Sequence, residues 1–392
     1  MAFNSIEDLI EDLKNGKMVI LVDDEDRENE GDLVLAADHV TPQAINFMAM
    51  QARGLICLAL SPQQIERLQL PLMVREDMNL TPNKTAFTVS IEASFGVSTG
   101  ISTADRAHTI RVAANPLAKP SDIHMPGHIF PIRAQHGGTL KRAGHTEGSI
   151  DLAKLAGLNP AAVICEVMNE DGSMARVPDL KTFAQKHQLK IGTIVDLIQY
   201  RLQHETLIEE VFTSQLPAEY GDFKARVFKS KLDGMEHLVL QKGEITPGKA
   251  MLTRVQVDNY VKDLFSNLTD HSNPLEAALQ AIDDEGEGVI ILLRGHNRPH
   301  LASDVKALTQ PEEPGRAFVM DEKDYGIGAQ ILRALGIHKI RLLTNKPEKR
   351  TGLKAFELEI VEVVALDVVR RLKGDQDENA AAQNRIGHKS LQ

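Results

Sequence analysis

Seven carboxylates crowd into the ten residues from Asp23 to Asp32, DDEDRENEGD, between two apolar runs at residues 18–22 and 33–37. Those β-rich runs predict strands that hold the loop at both ends, so its carboxylates cannot drift apart as those of a free acidic tail do. A counter-charge is needed, and Arg27 is the only cation inside the run. Clustered carboxylates suit a hard divalent ion: magnesium takes one or two of them, keeps waters, and completes its shell with substrate oxygens. The plain alternative is a solvated acidic loop. A calcium-binding EF-hand is the other metal pattern, with Asp26, Glu28, Glu30 and Gly31 at its positions 1, 3, 5 and 6. It fails because position 12 is Ala37 and strands, not helices, flank the loop.

At 392 residues the chain exceeds the usual size of one core, which predicts two domains. A net charge of −11 argues against nucleic acid or an anionic membrane surface as partner, so any anion site must be local. Cys57 and Cys165 are the only cysteines, too few for a disulfide framework or a four-thiolate zinc site, and consistent with a reducing cytoplasm. The first sixteen residues, with Ser5 as cap and Gly16 as stop, predict an acidic amphipathic helix rather than a signal peptide. No apolar stretch reaches the length of a membrane span.

Along the chain, helical and strand patterns alternate, which predicts mixed α/β layers. Residues 42–53 read as a helix with Ile45, Met48 and Ala49 on one face, 55–60 as a buried strand, 62–68 as a helix and 87–93 as a strand. The following GVSTGISTADRAHTIR, with Gly96, Gly100, Arg106 and Arg111, is either a loop with a helix cap or a phosphate cradle of hydroxyls and backbone N–H groups. Residues 125–151 then gather His128, Arg133, His136, Arg142, His145, Thr146 and Glu147 around Gly and Pro punctuation. A helix over 149–155 would let Arg142, Thr146 and the helix amino terminus converge on one anion, with His145 placed to join a divalent ion. In the apolar strand 161–167 the one charge is Glu166, whose burial costs several kcal/mol, about the penalty for an ionised group, unless it is paired or used. Desolvation suits such a group to taking and giving a proton near neutral pH.

DDEDRENEGD, PGHIFPIRA, KRAGHTEGSIDLAKLAGL, VICEVMNEDGSMARVPDL and IVDLIQYR together resemble the 3,4-dihydroxy-2-butanone 4-phosphate synthases of riboflavin biosynthesis, over residues 1–204. The resemblance implies an α/β fold with a mixed sheet, a homodimer, and magnesium-dependent conversion of ribulose 5-phosphate into the butanone phosphate and formate, a lyase reaction. Manganese is the alternative metal. Carried over by motif, the substrate contacts fall on Arg27, Glu28, Asp32, Arg142, Ala143, Gly144, His145, Thr146 and Glu166, the metal ligands on Glu28 and His145, and the catalytic groups on His128 and Glu166.

From residue 205 the pattern changes. AEYGDFKARVF, GVIILLRG and DEKDYGIGAQILRALGIHKIRLLTNKPEK resemble GTP cyclohydrolase II, and that domain is expected over 205–373, with a polar tail at 374–392. The departures are large. No cysteine follows Cys165, so the family's three-cysteine zinc site cannot form, and no zinc is expected. Asp321 persists as an expected proton acceptor, but Lys323 stands where the family has arginine. His271, His296 and His300 lie outside the spacing of the lost thiolates, while Thr344 and Lys349 match nucleotide contacts and imply at most weak nucleotide binding. The expectation is therefore a synthase carrying a degenerate second domain. A non-catalytic regulatory or assembly protein of the pathway and a true bifunctional enzyme are the alternatives.

Overall fold

The computed structural model describes residues 2–217, 221–258, 274–294, 322–345 and 357–366. The chain divides into two compact units, Met1–Glu205 and Thr206–Gln392. Among the described residues, each carries a seven-stranded mixed sheet.

In the first unit, β1 (Val19–Val22) and β2 (Gly31–Ala36) form an antiparallel hairpin whose connection is the acidic loop. Around them lie β3 (Cys57–Leu60), β4 (Ile91–Ala93), β5 (Ile123–Arg133), β6 (Ala161–Glu166) and β7 (Lys190–Thr193), in the order β4-β5-β3-β6-β2-β1-β7. β1 and β2 are buried on both faces, which is why they read as unbroken apolar runs. Alternation sorts their side chains into two cores. Ile20, Leu33, Leu58 and Val163 pack with Ile45, Ile110 and Leu180, from helices at Pro42–Phe47, Thr103–Ala114 and Val177–His187. The other face is covered by the helix His145–Leu155, which lies across β1, β2, β3 and β6. Gly148 allows that approach, because a Cβ there would meet Leu21.

Three elements depart from expectation. The 42–53 helix becomes a π turn at Met48–Ala52, and the wider turn moves the buried position from Ala49, which is exposed, to Ala52. The strand expected over 87–93 is regular only at Ile91–Ala93; Phe87 and Thr88 form isolated bridges. The helix expected at 149–155 starts earlier, at His145, with Gly144 at its N-cap. His145 and Thr146 are therefore in its first turn.

In the second unit, strands from Ile208–Leu216 to Glu359–Val364 form a sheet whose parallel half carries Met251–Val257, Gly288–Leu293, Lys339–Leu343 and Glu359–Val364. Helices at Pro274–Glu285 and Glu322–Ala334 accompany it. Asp321, Lys349, His271, His296, His300 and the 374–392 tail lie outside the described residues, as does the side chain of Lys323. Thr344 is buried, and its N–H donates to Val364 O at 2.9 Å.

Candidate active site

The acidic loop spends part of its charge on its own shape. Asp23 accepts the Glu30 N–H on Oδ1 at 2.8 Å, and the Glu28 N–H at 3.1 Å and Arg27 Nη1 at 2.7 Å on Oδ2. Arg27 also donates to Glu28 Oε2 at 2.6 Å, and Arg176 caps the Glu28 and Asn29 carbonyls from outside. Glu28 and Asp32 are left turned toward the first turn of the His145–Leu155 helix.

Register decides what they meet. Asp32 pairs with Glu166 across β2 and β6, so both carboxylates stand on the face that the His145–Leu155 helix covers. His145 Nδ1 lies 3.6 Å from Glu28 Oε2 and 3.9 Å from Asp32 Oδ1, ion contacts too long to be hydrogen bonds. His145 Nε2 and Asp32 Oδ1 are buried without a hydrogen-bond partner among the described residues. Burial pushes Asp32 up to about 7 against the pull of His145. Burial opposes charge on His145 too, but Asp32, Glu28 and Asp23 outweigh it and hold the imidazole up to about 9. His145 in turn, with Arg27 and against burial, draws Glu28 down to about 2.

A divalent cation fits this donor set. Ligand atoms of Asp23, Glu28 and His145 lie within 4.8 Å of one another. Both oxygens of Asp23 and both of Glu28 already accept hydrogen bonds, whereas Asp32 Oδ1 has none among the described residues, so an ion here would share the first two carboxylates with their donors and find Asp32 Oδ1 open.

Arg142 reaches the same site by a route absent from the sequence pattern. Its Nη1 donates to Glu147 Oε2 at 2.6 Å, Nε and Nη2 donate to Asn83 O at 3.3 and 3.2 Å, and Nη2 also donates to Thr85 Oγ1 at 3.2 Å. Burial raises the Glu147 carboxyl, opposed by Arg142 and the Gln135 N–H. Asn83 closes the circuit, because its amide donates to Glu28 Oε1 at 2.5 Å. Asn83 and Thr85 have no sequence signal for these roles, because a polar loop such as LTPNKTAFT carries only turn signals. Gly144 lets the Arg142 guanidinium pass, since a Cβ there would strike it. Ala143 is half-buried, and Thr146 is buried in the first helical turn.

Glu166 is half-buried at the end of β6, and its Oε2 accepts the Leu55 N–H at 2.9 Å. His128 stands apart. It lies on β5, two strands beyond β6, bonded to Glu92 at 2.7 Å, with no hydrogen bond or ion pair to the cluster among the described residues. The hydroxyl-rich segment is not arranged as an anion cradle. Ser98 N and Oγ and Gly100 N all point at Asp105, and Ser102 caps the Thr103–Ala114 helix.

Residues 7–200 match the family described as 3,4-dihydroxy-2-butanone 4-phosphate synthase, and residues 209–365 match GTP cyclohydrolase II. The chain is 50% identical over 379 residues to the riboflavin biosynthesis protein RibBA of Aquifex aeolicus (strain VF5), covering 93% of each. It is 49% identical over 356 residues to the 3,4-dihydroxy-2-butanone 4-phosphate synthase of Neisseria meningitidis serogroup A / serotype 4A, covering 91% of this chain and 96% of that one. Among solved structures it is similar to RibBX, a two-domain 3,4-dihydroxy-2-butanone 4-phosphate synthase from A. baumannii. The TM-score is 0.76 at 44% identity, covering 93% of this chain and 100% of that chain.

Proposed function

The chain belongs to the 3,4-dihydroxy-2-butanone 4-phosphate synthase family of riboflavin biosynthesis, and on that premise we propose how its residues divide the work. It converts D-ribulose 5-phosphate to L-3,4-dihydroxy-2-butanone 4-phosphate and formate, as a lyase of the cytoplasm; among the described residues no helix is long and apolar enough to cross a membrane. Residues 1–204 hold the synthase site. The observation that carries this reading is the meeting of half-buried Glu28 with buried Asp32 and His145, in which Asp32 Oδ1 and His145 Nε2 have no hydrogen-bond partner among the described residues.

Glu28 and His145 would hold magnesium, or manganese in its place. Such an ion would polarise the carbonyl of a ketose phosphate, easing loss of the adjacent C–H proton, and would ease ionisation of its hydroxyls. The protein's own groups do the rest. Thr146 and the amino terminus of its helix receive the phosphate, together with the Arg142 guanidinium, which Glu147 and Asn83 hold in one orientation. Arg27 fixes Glu28, and Ala143 and Gly144 let the substrate approach the backbone. Asp32 faces the substrate, and Glu166 beside it exchanges protons during enolisation and cleavage. His128 is the second proton-transfer group.

A homodimer is part of the proposal. Phe95, just beyond β4, and Met125, on β5 with His128, are exposed apolar side chains that a second copy would cover. The second domain, residues 205–373, retains its fold without zinc chemistry, because the chain has no cysteine beyond Cys165. Any nucleotide it binds, through Thr344 and Lys349, is bound weakly and is not hydrolysed. One preparation assayed with ribulose 5-phosphate plus magnesium, and separately with GTP, tests both halves. Formate release only from the sugar phosphate is expected; release from GTP with one zinc per chain would refute the degenerate-domain reading.

A further inference from the structure

His128 is held by a relay that no part of the reading above uses. Its Nδ1 lies 2.7 Å from Glu92 Oε2. The other oxygen, Glu92 Oε1, accepts the Thr109 hydroxyl at 2.6 Å, and Thr109 Oγ1 itself accepts the Ala93 N–H at 3.1 Å. Thr109 is fully buried, the Glu92 side chain is 13% exposed and that of His128 is 43% exposed, so the relay runs from the core outward to the imidazole. Gly100, at φ +89, packs directly over it, and a Cβ there would collide with both the Glu92 carboxylate and His128 Nδ1. Asp105 pins that loop by accepting the Ser98 and Gly100 N–H groups.

From this geometry we infer that Glu92, anchored by Thr109, is a positioning residue that sets the tautomer of His128. A carboxylate can only accept, so neutral His128 must carry its proton on Nδ1. Nε2 is then left as the basic nitrogen. It is the outward one, with no hydrogen-bond partner among the described residues. The arrangement is that of a base oriented by a third group, with the threonine fixing the orienter. The inference rests on the reading of His128 as a proton-transfer group.

The substitution Glu92→Gln makes the test sharp. The Thr109 hydroxyl keeps the amide oxygen, the amide N–H groups turn to His128 Nδ1, and the imidazole proton is forced onto Nε2. Loss of the correct tautomer costs up to ~10⁴-fold in the serine protease triad. Here kcat is expected to fall on the order of 10²-fold, within the usual range of a general base, with little change in KM. Nitrogen-15 NMR of histidine-labelled full-length protein, with His128 assigned by its loss in His128→Asn, reads the tautomer independently of turnover. An Nδ1 proton retained in E92Q, or a switched tautomer with unchanged kcat, would overturn the inference. Full turnover by His128→Asn would instead remove the catalytic reading on which it rests. Should E92Q fail to fold, Thr109→Val carries the test: it frees Glu92 Oε1 and is expected to lower kcat several-fold, while Thr109→Ser restores it. Equal kcat in the valine and serine variants would count against the relay.

Discussion

Metal binding at Glu28 and His145 should be paid for in protons, and the structure sets the size of the effect. His145 is pushed up to about 9 by Asp32 and its neighbours, despite burial, so at pH 7 it carries a proton that any cation must displace. Two pH units below that value correspond to about 2.7 kcal/mol, roughly a hundredfold in apparent affinity. The sign follows directly. Affinity rises about tenfold per pH unit from 7 to 9 and flattens above 9, where the imidazole is already neutral. Below pH 7 the dependence steepens, because burial also pushes Asp32 up to about 7. Calorimetric titration with manganese or magnesium, in two buffers of different ionisation enthalpy, counts the protons released: close to one per ion at pH 7.5. His145→Gln abolishes the release. An affinity flat between pH 7 and 9, or release unchanged in His145→Gln, would refute the assignment of His145 as a ligand.

Arg142→Ala is expected to raise KM for ribulose 5-phosphate, losing a charge-assisted contact of about 1.5–3 kcal/mol, whereas Glu166→Gln lowers kcat; steady-state kinetics in which both changed KM alone would contradict the role of Glu166. Arg201→Met should destabilise the first domain by about 3–5 kcal/mol, because it strands the buried Asp151 carboxylate that Arg201 meets at 2.7 Å; urea unfolding measures it. A fragment ending near residue 205 should keep the full chain's kcat per synthase site, since the first compact unit ends at Glu205; loss of turnover in a folded fragment would assign the second domain a part in catalysis.

Much of the first domain was legible because its signals are local. Ser5, Thr41, Ser61, Ser102 and Thr193 each accept the N–H three residues ahead and start a helix, a bond that depends on nearest neighbours alone. The acidic loop was readable for the same reason, since its flanking strands pair with each other as a hairpin. Where local signals compete, two readings stay open until the contacts are known. The hydroxyl-rich segment has the composition of an anion cradle, yet its N–H groups are satisfied by Asp105. The π turn at Met48–Ala52 is likewise a departure that a 3.6-residue period does not anticipate.

The sequence by itself determined which chemical groups the site has: the carboxylates of the loop, the histidines, the arginine at 142, and the absence of thiolates in the second domain. Only the tertiary structure decided which of them meet. Asp32 faces Glu166 because β2 pairs with β6 in one register, and a slip of one residue would turn one of the pair to the opposite face. Asn83 joins Arg142 to Glu28, and Glu92 takes His128, across separations of 59, 55 and 36 residues. Contacts at such distances form only when strand order and register bring the chain back on itself, and no local propensity encodes that closure.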